Sequence, residues 1–369
     1  MEEWIKEAYD KSIEKVTRTS KRIGDSFPHV SINGTYDSEN PYWWTNGFWP
    51  GLLWLVYHET KDESLKRIAE SCEKKLDERL HDFYSLDHDV GFLWMPSSIS
   101  NYKTTGNETS RRRAMIAASH LAGRFNIAGR FIRAWEHSGE IPTGWAIIDC
   151  MMNLPLLYWA SEITQDPRFK HIAVAHALTA MDRFIREDGS TNHIVCFDPE
   201  TGEHIGERGG QGYSPTSAWS RGNSWAIYGM ALSARYTGKA EFLQAAKKTA
   251  AFFIKNLEDD FVPFWDFRAP VEDPMPRDTS AAACAACGLL EIAELVSDGE
   301  KDFYITTAKN IVKSLYENYG AWDEDEEALI IGGTVHRPAD SNVNVPIIYG
   351  DYFFFEALYR FMGNKDLLW

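Results

Sequence analysis

Six times along the chain a helical pattern breaks at a short turn and restarts, and this recurrence restricts the fold more than any other feature of the sequence. The turns are Thr60-Lys61-Asp62-Glu63-Ser64-Leu65, Thr105-Gly106-Asn107-Glu108-Thr109, Thr164-Gln165-Asp166-Pro167-Arg168-Phe169, Thr237-Gly238-Lys239-Ala240-Glu241-Phe242, Ser297-Asp298-Gly299-Glu300-Lys301-Asp302-Phe303 and Met362-Gly363-Asn364-Lys365-Asp366-Leu367. They recur roughly 45 to 75 residues apart, the span of a long helical hairpin with its connecting loop. Gly or Asn ends one helix, and Asp or Pro opens the next. Segments before a turn, such as Leu154-Pro155-Leu156-Leu157-Tyr158-Trp159-Ala160, are apolar nearly all round and belong inside. Segments after a turn, such as Arg168-Phe169-Lys170-His171-Ile172-Ala173, carry charge on one face and belong outside. Six inner helices alternating with six outer ones predict an all-α (α/α)6 toroid. Strand signals are confined to two stretches, 192–203 and 329–336, read as short β-hairpins in the long connections. No linker or low-complexity segment interrupts the pattern, so residues 1–369 are read as a single domain.

Composition narrows the function. The chain is 44% hydrophobic, enough for a large core, and its longest apolar stretch, from Phe48 to Tyr57, contains Pro50 and Gly51 and is too short to span a bilayer. The N-terminal Met1-Glu2-Glu3-Trp4-Ile5-Lys6 is acidic and amphipathic rather than a leader, which predicts a cytoplasmic protein that does not engage membranes. A net charge of −16 argues against nucleic acid, since the only basic run, Arg111-Arg112-Arg113, reads as a solvated helix face. Five cysteines have no framework spacing, and the CxxC of Cys284 and Cys287 lies in a small-residue helix face where packing explains it. The 11 histidines form no metal-binding motif, so neither metal nor cofactor is expected. The 14 tryptophans suit a large core, and equally suit stacking against sugar rings.

The segments that open the inner helices are chemically rich. They are Trp43-Trp44-Thr45-Asn46-Gly47-Phe48-Trp49, Leu86-Asp87-His88-Asp89-Val90-Gly91-Phe92, Ile147-Ile148-Asp149-Cys150, Ser217-Ala218-Trp219-Ser220-Arg221-Gly222-Asn223-Ser224-Trp225, Pro276-Arg277-Asp278-Thr279-Ser280 and Tyr349-Gly350-Asp351-Tyr352-Phe353. Helix capping accounts for an Asp or Ser at each start, and covers Asp278 and Asp351, but calls for no adjacent Trp, His or Arg. If all six starts face one rim, they form a binding cleft. Asp149 stands alone among apolar residues at what reads as a helix start; it is either a cap or a carboxyl raised in pKa by desolvation, and an ionised Asp89 nearby would raise it further. Arg221 and helix N-termini suit a carboxylate ligand. The indoles of Trp44, Trp135, Trp219 and Trp225 suit sugar faces, whereas Trp54 and Trp159 read as core.

These motifs, with Phe27-Pro28-His29-Val30, Asn153-Leu154-Pro155, Phe197-Asp198-Pro199, Gln211-Gly212 and Trp265-Asp266-Phe267, resemble in order and over nearly the whole chain the unsaturated glucuronyl hydrolases of glycoside hydrolase family 88. The resemblance implies a six-hairpin toroid that removes a 4,5-unsaturated uronic acid from the non-reducing end of lyase-generated oligosaccharides. It implies that Asp149 is the general acid and base, that Asp89 assists it, and that Trp44, His88, Trp135, His193, Gln211, Arg221 and Trp225 line the substrate site. The chain departs from the family pattern at Asn342-Val343-Asn344-Val345-Pro346, where some relatives carry an aromatic.

The expected partner is thus an unsaturated uronic-acid oligosaccharide, handled by a monomer or weak homo-oligomer. Three other readings stay open on the residues alone. An unsaturated rhamnogalacturonyl hydrolase would use the same toroid on pectin fragments. A sugar epimerase or isomerase would need more His or Tyr proton shuttles than His88 and His193 supply. A helical-repeat scaffold would need no carboxylates at its inner-helix starts.

Overall fold

The computed structural model describes residues 2–136, 143–364 and 367–369. Its long helices, in chain order, are α1 (Glu3–Ile23), α2 (Phe48–Thr60), α3 (Glu63–Lys75), α4 (90–105), α5 (Glu108–Gly123), α6 (Leu154–Thr164), α7 (Arg168–Arg183), α8 (Ser220–Thr237), α9 (Ala240–Lys255), α10 (Thr279–Leu295), α11 (Asp298–Asn318) and α12 (Ile348–Phe361). Even-numbered helices form the inner layer. Each packs on the next, α2 on α4 through to α12, and α12 packs back on α2 to close the ring of an (α/α)6 toroid.

Local chemistry explains the turns. Gly106 and Gly238 take the left-handed conformation that ends α4 and α8, while Lys61 and Gln165 adopt it after α2 and α6 without being glycine. Asp62 and Asn107 then cap the following helices by accepting bonds from Ser64 N and from Thr109 N and Ser110 N. The inner helices are buried around their circumference; Trp54 and Trp159 are core, as their surroundings in the sequence suggest. Helix α4 is not uniform: Val90–Trp94 passes through one widened turn at Met95–Ile99, where Pro96 supplies no N–H, before Ser100–Thr105.

Four expectations are corrected. The sixth turn does not lead into an outer helix: α12 ends at Phe361, and α1 from the other end of the chain packs against it instead. Lys365 and Asp366 of that turn lie outside the described residues. The segment before Asp149 is not a helix start but strand β5 (Trp145–Ile147). Asp351 is no cap: it lies within α12 and accepts bonds from Leu329 N, Ile330 N and the Tyr36 hydroxyl, tying the last loop to the barrel. Arg113 is no solvated residue either, because Glu73 and Asp77 hold its guanidinium in a half-buried position.

Short strands decorate the ring. Besides hairpins β1 (Ser31–Ile32) with β2 (Thr35–Tyr36) and β3 (Phe125–Asn126) with β4 (Phe131–Ile132), β5 adds to the hairpin of β6 (Ile194–Phe197) and β7 (His204–Arg208), giving an antiparallel sheet in the order β5-β6-β7. Strand β8 (Gly333–His336) pairs with β9 (Ser341–Val345), so the 342–346 stretch that departs from the family pattern is mostly strand.

Candidate active site

Three of the six segments that open inner helices, those before α2, α4 and α6, meet at one cavity of about 250 Å³, lined by Trp44, His88, Asp89, Trp135, Ile147, Asp149, His193, Ile194, Gly210, Gln211 and His336. Trp44 precedes α2, and His88 and Asp89 are the last two residues before α4. Asp149 sits in a single 3-10 turn, Ile148–Met152, between β5 and α6, and its side chain makes no capping bond. The sheet therefore aims it: β5 pairs with β6, which brings His193, at the head of β6, beside it.

Both carboxyls are only 8% exposed. Asp149 Oδ1 lies 3.4 Å from His193 Nε2, and among the described residues neither atom has a partner that satisfies hydrogen-bond geometry. Burial pushes the Asp149 carboxyl up, but His193 beside it, with His88 and Arg221, outweighs burial and holds it below the usual carboxylate range. Asp89 behaves in the opposite way: desolvation, and then the charges of Asp87 and Asp149, raise it well above that range. The expectation that Asp149 is raised beside an ionised Asp89 is thus reversed, because His193, His88 and Arg221 gather around Asp149 while the acidic neighbours gather around Asp89.

His88 agrees with this arrangement. Its Nδ1 lies 2.8 Å from the Ala134 carbonyl and must carry the hydrogen it donates there. Burial lowers its pKa, leaving a neutral ring whose Nε2 is an acceptor. Asp89 Oδ1, 3.1 Å from Nε2, fits that acceptor when protonated. Trp135 packs edge-on to His88 at 5.6 Å between ring centroids. His193 is held by the loop after β7: Gln211 N donates to Nδ1 at 2.9 Å. Gly210 lies so close that a Cβ would fall 2.2 Å from Nδ1, at a φ of +56° that also favours glycine.

Asn153 joins the two acidic turns. Its Oδ1 accepts from Phe92 N at 2.8 Å, just after Asp89, and its Nδ2 donates to the Asp149 carbonyl at 3.2 Å.

Three expected site residues are not in the cavity wall. Arg221 is 1% exposed, and its guanidinium is engaged by Asp278 Oδ2 at 2.6 Å, the Val335 carbonyl at 2.7 Å and the Thr334 carbonyl. It is stacked between Trp219 and Tyr349, at 4.6 and 5.3 Å from their centroids. Asp278 and the carbonyls of β8 engage both terminal nitrogens, and Nη2 also reaches Gln211 Oε1 in the cavity wall at 3.5 Å. Trp219 packs behind His193 at 4.3 Å. Trp225 is fully buried among Phe92, Tyr349 and Phe353, so it is a core aromatic beneath the site. Asp278 does cap α10, accepting from Ser280 N and Ala281 N, while also holding Arg221. His336, at the end of β8, is a wall residue with no motif to announce it; only the pairing of β8 with β9 carries it to the cleft.

Two groupings hold three possible metal donors within 4.8 Å, His29 with Asp37 and Glu39, and Asp87 with His88 and Asp89. In the first, Asp37 Oδ1 already accepts from His29 N and Val30 N. In the second, the ring nitrogens of His88 face Ala134 and Asp89. Cys284 and Cys287 are both buried in α10.

The chain was then compared with known proteins. It is 40% identical over 365 residues, covering 95% of both chains, to an unsaturated glucuronyl hydrolase of Bacillus sp. (strain GL1). It is 34% identical, over 99% of this chain and 93% of the other, to an unsaturated chondroitin disaccharide hydrolase of Streptococcus agalactiae serotype III (strain NEM316). A crystal structure of an unsaturated glucuronyl hydrolase from Bacillus sp. GL1, described as responsible for the degradation of glycosaminoglycan, superimposes with a TM-score of 0.93 at 38% identity, covering 97% of this chain and 96% of that one. The profile of Glycosyl Hydrolase Family 88 matches residues 13–356, from within α1 to within α12, so the toroid and the acidic cleft described above are those of a member of glycoside hydrolase family 88, to which this chain belongs.

Proposed function

We propose that the protein is an unsaturated glucuronyl hydrolase, which removes a 4,5-unsaturated glucuronic acid from the non-reducing end of lyase-generated glycosaminoglycan fragments. The observation that carries this reading is the meeting of Asp89 and Asp149 in one small cavity with Trp44, Trp135, His193 and Gln211. The cavity suits a single flat sugar ring flanked by indoles, with carboxyls beside its reactive edge.

The terminal residue of such a fragment is a vinyl ether. In the proposed reaction Asp149 gives its proton to C4, and positive charge develops at C5. Water adds to C5 and passes a proton back to Asp149, so one carboxyl serves as acid and then base. The hemiketal formed at C5 opens by breaking its bond to the ring oxygen, which leaves a hemiacetal at C1 that expels the remaining saccharide as an alcohol. Hydration, rather than displacement at C1, breaks the linkage, so the separation of two carboxyls does not set the outcome as it does in ordinary glycosidases. Asp89, when protonated, is the source of the proton that Asp149 needs.

Asp149→Asn is expected to fold and bind substrate while losing about 10²- to 10⁴-fold in turnover, followed as loss of the ultraviolet absorbance of the conjugated acid. Substantial retained turnover refutes the assignment. We further propose that the protein works in the cytoplasm as a monomer or weak oligomer. Five unpaired, buried cysteines suit a reducing compartment, and among the described residues no helix is long and apolar enough to cross a membrane.

A further inference from the structure

Beside the acidic cavity lies a larger groove of about 740 Å³ along the β5-β6-β7 sheet, lined by Trp145, Ile194, Cys196, Phe197, residues 205–210 and Pro215. Ile194 and Gly210 line both, so the two spaces adjoin. The indoles continue as well: Trp135, in the cavity wall, meets Trp145, in the groove wall, at 6.3 Å. The guanidinium of Arg208 lies over the Trp145 ring at 4.5 Å. That contact holds the guanidinium against the indole in the groove wall, beside Cys196, with which it also interacts, and a guanidinium is the side chain best suited to bind an anion. Glu207 is the groove's carboxylate, and it is drawn aside to His204 Nε2 at 2.9 Å. The opposite wall is anchored: Arg186 donates to the Pro215 carbonyl at 2.8 Å and to the Ser217 carbonyl at 2.7 Å. Among the described residues no strand pairs with the far side of β7, which leaves that edge to a saccharide chain.

We propose that this groove is a second saccharide subsite, which takes the anionic sugar units following the unsaturated terminal residue, with Arg208 as the counter-charge to their carboxylate or sulfate. The inference rests on the function proposed above and deepens it, because the protein then prefers fragments longer than a disaccharide. Trp145 is a positioning residue that holds Arg208 rather than a platform for the ligand.

The test compares kcat/KM on four probes: an unsaturated disaccharide, a neutral unsaturated tetrasaccharide, one with a second uronic acid and no sulfate, and one with sulfate. Arg208→Ala is expected to lower kcat/KM roughly tenfold on the anionic tetrasaccharides, the worth of a charge-assisted hydrogen bond, with less than a twofold change on the disaccharide and the neutral probe. Arg208→Lys should restore part of the loss. The sulfated and unsulfated arms identify which anion Arg208 meets. Equal effects on all four probes, or none on any, overturn the subsite while leaving the hydrolase reading intact. Failure of the unmodified protein to turn over any probe removes both.

Discussion

Of the two carboxyls Asp149 is the more readily ionised and Asp89 the more readily protonated, since His193, His88 and Arg221 favour charge on the first while burial and two acidic neighbours disfavour it on the second. A general acid at position 149 needs the reverse, and the proposed ligand supplies it. An unsaturated uronate carries its own negative charge into a water-poor cavity, and both changes raise the pKa of a neighbouring carboxyl. The sign is testable by pH profiles. An acid must be protonated to act, so activity is lost as pH rises through its pKa. The alkaline limb of kcat, which reports the substrate complex, is expected at higher pH than that of kcat/KM, which reports the free enzyme. Coincident limbs would mean that substrate does not move the proton to Asp149, and Asp89 would then be the better candidate for the acid. The order of the two pKa values was not legible from the sequence. It depends on which side chains surround each carboxyl, and His193 reaches Asp149 only through strand pairing across 44 positions.

At the scale of elements, the two acidic turns owe their register to Asn153, which bonds to the backbone of both. Gly91 lets them approach, since a Cβ there would lie 2.5 Å from Asn153 Oδ1 and 2.7 Å from its Cα. Asn153→Ala removes the partner of the buried Phe92 N and is expected to cost about 1–3 kcal/mol in urea unfolding. It should also lower kcat by roughly 10- to 100-fold with little change in KM, because a small misplacement of reacting groups costs rate. Gly91→Ala should reproduce the kcat loss by pushing the same joint apart. Unchanged kcat in both variants would show that the turns hold their geometry without this joint. The hairpins, their turns and the cluster of polar residues at inner-helix starts were legible because 3.6-residue periodicity and cap chemistry are local signals. Strand β5 was not, since three apolar residues before a turn look the same in a helix start and in a buried strand. The partners of Arg221 were hidden for a related reason. A guanidinium in a motif looks available to ligand until Asp278 and the β8 carbonyls, 57 to 114 positions away, are found against it.

For the whole molecule, closure of the ring is the property that separates this fold from an open helical repeat. An open array of hairpins is stabilised only by nearest neighbours and can unfold piecemeal. Here α12 packs on both α10 and α2, and its outer face is covered by α1, so the two ends of the chain meet in one seam. Tyr9 of α1 stacks on Phe355 of α12 with centroids 5.2 Å apart and planes 12° from parallel, and the buried Ile5, Ala8, Ser12 and Val16 continue that seam. We expect the described toroid to unfold as one cooperative unit, in line with a single domain. Tyr9→Ala opens a cavity at the seam and is expected to cost about 3–5 kcal/mol. If the ring is cooperative, tryptophan fluorescence and far-ultraviolet dichroism will move together to a lower urea midpoint, and activity, though the cleft is built from other elements, will be lost at that same midpoint. A split into two transitions, with the cleft surviving after the seam has opened, would mean that the hairpins hold one another only pairwise and that closure adds shape without cooperativity.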